Sequence, residues 1–239
     1  MVDVSIIVIN YNYSSFLKRC LESCFNQSTK FSSEVIFLDD GSTDNSLKIA
    51  RGFKNLKIRI YTLKKRGIEA ASNLGFKKSK GKYVVRVDSD DFICNNFLSE
   101  TIKHLKNKKI SFVYSNYALV DKKGKKISEK KLPKFDVKEI LKRGDFLATG
   151  TIYRKSDLKK VGFYNEKNKN TGLENYELIL KLILKGFEGK LISKNLFCHT
   201  RHSKNLSRIR SKQIINYGAN LFKKYNIGAY KTNRYHPYF

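Results

Sequence analysis

Four short apolar runs, each followed by a stretch of a different periodicity, restrict this chain to one class of fold. Val4–Ile9, Glu34–Leu38, Ile58–Tyr61 and Val84–Val87 have strand length and are rich in β-branched residues. Between the first two, Phe16, Leu17, Cys20, Leu21 and Cys24 recur at helical spacing, with Ser14 or Ser15 as cap. A second helix runs from about Asp44 through Leu47, Ile49 and Ala50, and a third from Glu69 to Lys78. Strands that alternate with helices at this interval predict an α/β fold. The sheet is expected to be Rossmann-like, mostly parallel and flanked by helices.

In such sheets ligands bind beyond the carboxyl ends of the strands. Tyr11, Asp39 and Asp88 each follow the end of a different run. Val84–Val87 stops at Asp88-Ser89-Asp90-Asp91, three acids in four residues. Carboxylates this close repel one another, so they shift their pKa values or take up a cation. Mg²⁺ and Mn²⁺ prefer oxygen ligands, and Mg²⁺ commonly uses one or two carboxylates plus substrate phosphates. A solvated turn with a helix cap would also use Asp and Ser. Three such coincidences on one sheet edge favour a site.

The second half is less regular. A helix from about Asn96 to Lys106 precedes a strand at Phe112–Tyr114. Tyr117 to Ile127 reads as a hairpin with Lys123-Gly124 at its tip. Lys122 to Lys134 is the densest basic stretch and reads as a solvated loop. Asp136–Lys142 is a short helix, Thr151–Tyr153 a strand and Leu173–Lys185 a helix. From Lys204 onward the chain is basic and aromatic with weak amphipathic character. One domain, 1–207, with an appendage, 208–239, is the economical division.

Charge narrows the partners. The sequence holds 49 Lys and Arg against 21 Asp and Glu, a net +28. Such a surface attracts nucleic acid, anionic lipid headgroups or phosphorylated substrates. Cys20, Cys24, Cys94 and Cys198 neither complete a zinc pattern nor suggest a disulfide framework, so buried, reduced thiols are expected. No apolar run approaches 18 residues. The expectation is a cytoplasmic protein, with peripheral contact at the inner, anionic face of a membrane as the extension its charge allows.

Four separated pieces carry a resemblance. They are Ser5–Asn12, Phe37-Leu38-Asp39-Asp40-Gly41-Ser42-Thr43-Asp44, Val87-Asp88-Ser89-Asp90-Asp91 and Glu174-Asn175-Tyr176-Glu177-Leu178. Together, in this order, they resemble the family 2 glycosyltransferases, inverting enzymes of the GT-A fold. The resemblance runs from about residue 3 to about residue 208. It implies a nucleotide-binding half, 1–110, an acceptor-binding half, 111–207, and a nucleotide-diphosphate sugar as co-substrate. Tyr11 would stack on the base, Asp39 would accept a hydrogen bond from a uracil-like ring, and Asp88 would face the ribose. Asp90, with Asp88 beside it, would hold a Mg or Mn ion that bridges the diphosphate. Arg201 and His202, in a segment that ends at Arg208, resemble the late basic loop near the phosphates; an ordinary basic surface is the alternative.

Two departures stand out. Arg usually precedes the Asn of the family's third helix; here Ser72 precedes Asn73, and that contact is either lost or supplied by Arg66. The family's base is usually the Asp of a Glu-Asp pair; here the pair is Glu174-Asn175, and an amide cannot take a proton from a hydroxyl. Glu174 is the nearest catalytic candidate. Thr171-x-x-Glu174 also fits a capping box, and the helix dipole favours a carboxylate in the first turn. Glu177, four residues before Lys181, reads as a surface pair.

The resulting expectation is a metal-dependent inverting glycosyltransferase. It would act on a glycan or lipid-linked acceptor, from a UDP-sugar donor, in cell-surface polysaccharide synthesis. A nucleotidyltransferase on a similar sheet is the alternative enzyme. A basic nucleic-acid-binding protein is the alternative of another class, disfavoured because no reading motif is present and acids cluster where a polyanion would lie.

Overall fold

A computed structural model describes residues 2–53, 58–143 and 150–230. Four parallel strands form its first half: β1 (Val4–Asn10), β2 (Ser33–Asp39), β3 (Arg59–Thr62) and β4 (Tyr83–Asp88). Every residue of β1 is buried, because helices cover both faces of a parallel sheet. The sheet order is β3-β2-β1-β4, so Asn10 lies opposite Asp39 and Ile9 opposite Asp88. That register brings the ends of three strands to one rim.

The helices α1 (Ser14–Phe25), α2 (Ser46–Gly52) and α3 (Ile68–Lys78) fill the crossovers. α1 buries Phe16, Leu17, Cys20, Leu21 and Cys24, the stripe its spacing predicts. Its cap differs from the expectation. Tyr13 precedes the helix without a side-chain cap, and the free Ser14 N–H is taken by Asp44 Oδ2 at 2.9 Å from the loop after β2. α3 lies close on the sheet at Gly75, where a Cβ would stand 2.4 Å from Ile7 Cγ2.

The second half adds β5 (Phe92–Ile93), α4 (Phe97–Leu105), β6 (Ile110–Val120), β7 (Lys126–Lys130), α5 (Val137–Arg143), β8 (Ile152–Arg154) and α6 (Lys155–Val161). It continues with α7 (Glu174–Leu184), β9 (Glu188–Thr200), α8 (Leu206–Ile209) and α9 (Ser211–Tyr225). β8 joins the halves, antiparallel to both β4 and β6. The hairpin β6–β7 turns at Asp121, whose Oδ1 accepts the N–H groups of Lys123 and Lys125, both at 2.9 Å. β9 runs parallel to β6 through three register shifts. Its sequence hides it: lysines and bulges break the alternation that would mark a strand.

α9, part of the expected appendage, lies on this body with Ile214, Gly218, Leu221 and Phe222 buried. Tyr217 donates its hydroxyl to Glu177 Oε2 at 2.7 Å, and Lys224 Nζ stands 3.0 Å from Glu177 Oε1. Glu177 is therefore buried beneath α9, not an exposed partner of Lys181. Lys181 instead donates to the Phe163 carbonyl. A carboxylate under a docked helix needs donors from that helix, and α9 brings two.

Candidate active site

The three-residue loop after β1 and the Asp39–Asp44 motif at the end of β2 are sewn together by short polar side chains. Asn10 Nδ2 donates to Asp39 Oδ1 and Ser42 Oγ, each at 2.9 Å. Asp39 Oδ2 accepts the Ser42 N–H at 2.9 Å. Asp40 does the same for the loop after β3, accepting the N–H groups of Arg66 at 2.6 Å and Gly67 at 2.8 Å. Backbone donors left at the strand ends thus find side-chain acceptors, carboxylates for Ser42, Arg66 and Gly67 and the Ser42 hydroxyl for Asn12. Asp39 is 1% exposed and is not among the residues that line the cavity; Asp40 is.

That cavity, about 560 Å³, opens at the carboxyl ends of β1 and β4. Tyr11, Asp88, Asp90 and Glu174 all line it, together with Asn175, Asp91, His199 and Arg210. Tyr11 is exposed, with Lys65 Nζ 5.1 Å from its ring centroid. Ser72, Arg201 and His202 do not line it. Ser72 is buried in α3 with its hydroxyl on the Ile68 carbonyl at 2.6 Å. Arg66 is exposed. The Arg201 N–H continues the sheet to Val120, while the Arg208 side chain lies outside the described residues. His202 sits one layer behind: its Nε2 is 2.9 Å from Asp90 Oδ2 and its ring stacks on Phe16 with centroids 4.7 Å apart.

The acids are held by the end of β9. Asp91 accepts the Thr200 N–H at 2.8 Å and faces His199 Nδ1 at 3.2 Å. Burial works against charge on His199, but Asp91 and then Asp90 outweigh it and raise its pKa. Ser89 binds Asn10 Oδ1 at 2.8 Å, which ties the acid loop to β1 and, through Asn10, to Asp39. Burial, helped by Asp90 and Glu174 and opposed by Arg86, pushes Asp88 up to about 6. Asp90 is raised as well, by burial and by Asp91.

Glu174 opens α7 at the far wall of the cavity. It is not a capping-box residue. Leu173 precedes the helix without a side-chain cap, and the Thr171 hydroxyl has no hydrogen-bond partner. The Thr171 and Asn170 N–H groups go to Glu69 at 2.8 and 2.7 Å. Glu174 Oε1 instead accepts Arg86 Nη2 at 2.9 Å, because a buried cation outcompetes a neutral amide for a carboxylate. Glu174 Oε2 is buried with no partner. Asn175 Oδ1 accepts the Tyr164 hydroxyl at 2.5 Å.

Arg86, Lys65, Tyr164 and Glu69 were not singled out by spacing, and Asp91 only as a member of the acid cluster. Arg86 carried the one usable signal, a full charge inside an apolar strand.

The acids suit a divalent cation. Their donors are hard oxygens, and both Asp88 and Asp90 face the cavity, Asp88 being ion-paired to Arg86, whose Nε stands 3.0 Å from Oδ1. Among the described residues, no three His, Cys, Asp or Glu side chains are arranged to hold a metal by themselves. Two carboxylates completed by substrate phosphates would be consistent with the Mg²⁺ pattern.

Comparison with known proteins agrees with this geometry. Residues 5–162 match the profile of glycosyl transferase family 2. An uncharacterized glycosyltransferase of Haemophilus influenzae is 31% identical over 171 residues, 70% of this chain and 68% of that protein. Escherichia coli WfaP, a UDP-Glc:alpha-D-GlcNAc-diphosphoundecaprenol beta-1,3-glucosyltransferase, is 28% identical over 233 residues, 95% of this chain and 88% of its own. The chain spans only 21% of a Pasteurella multocida chondroitin synthase, at 30% identity. S. aureus TarS 1–349, solved with UDP-GlcNAc, superposes with a TM-score of 0.77 at 20% identity, covering 93% of this chain and 66% of that one. The fold is the GT-A fold. Among the described residues no helix is long and apolar enough to cross a membrane.

Proposed function

The chain belongs to glycosyl transferase family 2, and from that premise we propose that it is a metal-dependent inverting enzyme with a UDP-sugar donor and a glycan or lipid-linked acceptor. One observation carries the reading: carboxylates from β4 and from α7 meet across a single cavity, and one oxygen of Glu174 is left without a partner.

The division of labour follows from position. Tyr11, exposed at the rim beside Lys65, offers a flat face to a nucleotide base. Asp88 and Asp90 would hold a Mg or Mn ion, which, when bound, neutralises charge on the departing diphosphate. Glu174 takes the proton of an acceptor hydroxyl as that oxygen bonds to the anomeric carbon. The bond from carbon to diphosphate oxygen breaks on the opposite side, so configuration inverts in one displacement. Arg210, Leu206 and Ile209 line the same cavity as Glu174, a cation and an apolar wall that would suit such an acceptor. WfaP, whose name specifies a lipid diphosphate, supports an acceptor of that kind and a place in cell-surface polysaccharide synthesis.

A screen of UDP-sugars against candidate acceptors, read as released UDP, tests the reaction class. Titration of UDP with and without Mn²⁺ tests the donor site. Mn²⁺-enhanced binding that disappears in Asp90→Asn supports the reading; release of pyrophosphate, or UDP binding indifferent to Mn²⁺, overturns it.

A further inference from the structure

We propose that Arg86 is a positioning residue for the transfer step, fixing the donor-side acid Asp88 and the acceptor-side carboxylate Glu174 on one guanidinium. The proposal rests on the reading of Glu174 as base and adds the group through which that base is aimed.

β4 is a central strand between β1 and β8, and the rest of its interior is valine. Arg86 is nevertheless 3% exposed. An apolar residue would serve the sheet at lower cost, since a buried charge must be repaid by partners. Those partners are all in the cavity wall. Nη2 stands 2.9 Å from Glu174 Oε1 and 3.1 Å from Asp88 Oδ2, and Nε stands 3.0 Å from Asp88 Oδ1. The guanidinium is a rigid planar fork, so two carboxylates bound to it are fixed relative to each other. Without it, Asp88 and Glu174 would face one another as like charges.

The bridge also decides which oxygen of Glu174 remains for chemistry. Oε1 is committed to Arg86, and Oε2 is buried without a partner in a residue that lines the cavity. Arg86 Nη1 is likewise buried and unbonded. Buried polar atoms left open in one wall are accounted for when a ligand completes them. Below, the Tyr164 ring centroid lies 5.6 Å from the Arg86 guanidinium carbon, and its hydroxyl holds Asn175. Arg86 and Tyr164 thus secure both members of the Glu174-Asn175 pair.

A double-mutant cycle tests this. Turnover of the UDP-sugar selected by the screen, UDP affinity and thermal melting are measured for wild type, Arg86→Met, Glu174→Gln and the double variant. If Arg86 acts through Glu174, Arg86→Met lowers kcat tenfold or more in the wild-type background and less than twofold in the Glu174→Gln background, while its effect on UDP affinity is the same in both. Equal fold-losses of kcat in the two backgrounds overturn the proposal. Should Arg86→Met fail to fold, Arg86→Lys replaces it, keeping the charge and losing the fork. A loss that again vanishes beside Glu174→Gln supports positioning; wild-type kcat in Arg86→Lys overturns it. Failure of the underlying reading is distinct: Glu174→Gln alone would then leave kcat unchanged.

Discussion

Tyr164 donates its hydroxyl hydrogen to Asn175 Oδ1 across 2.5 Å, both side chains being buried and Asn175 lining the cavity. Asn175 is held as an acceptor, beside a glutamate that keeps a free oxygen. If the hydroxyl proton of the acceptor lies within reach of this turn of α7, a carboxylate at either position can take it. Glu174→Gln is expected to lower kcat by about 10²–10⁴-fold, the usual worth of a general base. Adding Asn175→Asp to that variant should restore at least tenfold of the loss. Steady-state kinetics of the single and double variants decides it, and no recovery would confine the proton transfer to residue 174.

Asp39 and Asp90 separate scaffolding from binding. Both oxygens of Asp39 accept donors, from Asn10 and from Ser42. In Asp39→Asn one amide NH₂ must face a donor, at a cost of about 1–3 kcal/mol. Its melting temperature should fall. Asp90→Asn should keep wild-type melting and lose Mn²⁺-enhanced UDP affinity. The reverse pattern in calorimetry and titration would exchange their roles.

Glu69 predicts a pH dependence of stability. Burial and then Glu174 raise its pKa above 4.5, although the Thr171 and Asn170 N–H groups oppose the rise. The folded chain therefore keeps a proton that the unfolded chain has released. The contribution is full below the unfolded pKa and is lost as pH rises through the folded one. Glu69→Gln removes the slope, so its melting temperature relative to wild type should climb as pH is raised from the ordinary glutamate range toward neutrality. A constant offset across that range would contradict the assignment.

Glu177 is the latch of α9. Replacing it with alanine removes the acceptor of Tyr217 and Lys224. Hydrogen exchange should accelerate across Ser211–Tyr225 while β1 and β4 keep their protection. Unchanged exchange in α9 would mean that Ile214, Leu221 and Phe222 hold the helix unaided.

Much of this molecule was legible from one dimension. The alternation of β-branched runs and 3.6-residue stripes is a local property, so β1 to β4 and α1 to α3 could be read directly, as could the sheet edge on which Tyr11, Asp88 and Asp90 gather. β9 could not, because its register with β6 shifts three times and its lysines point outward. Nor could the fate of each acid: Asp39 and Asp90 look alike in sequence, and only their neighbours assign one to Asn10 and Ser42 and the other to the cavity.

The sequence by itself determined the fold class, the family and the rim where the acids meet, since these depend on periodicity and on residues close along the chain. The tertiary structure decided which carboxylates are free. That choice rests on partners far away in sequence: Arg86 reaches Glu174 across 88 positions and His202 reaches Asp90 across 112. A carboxylate's chemistry is set by the donors and charges packed around it, and packing exists only once the chain has folded.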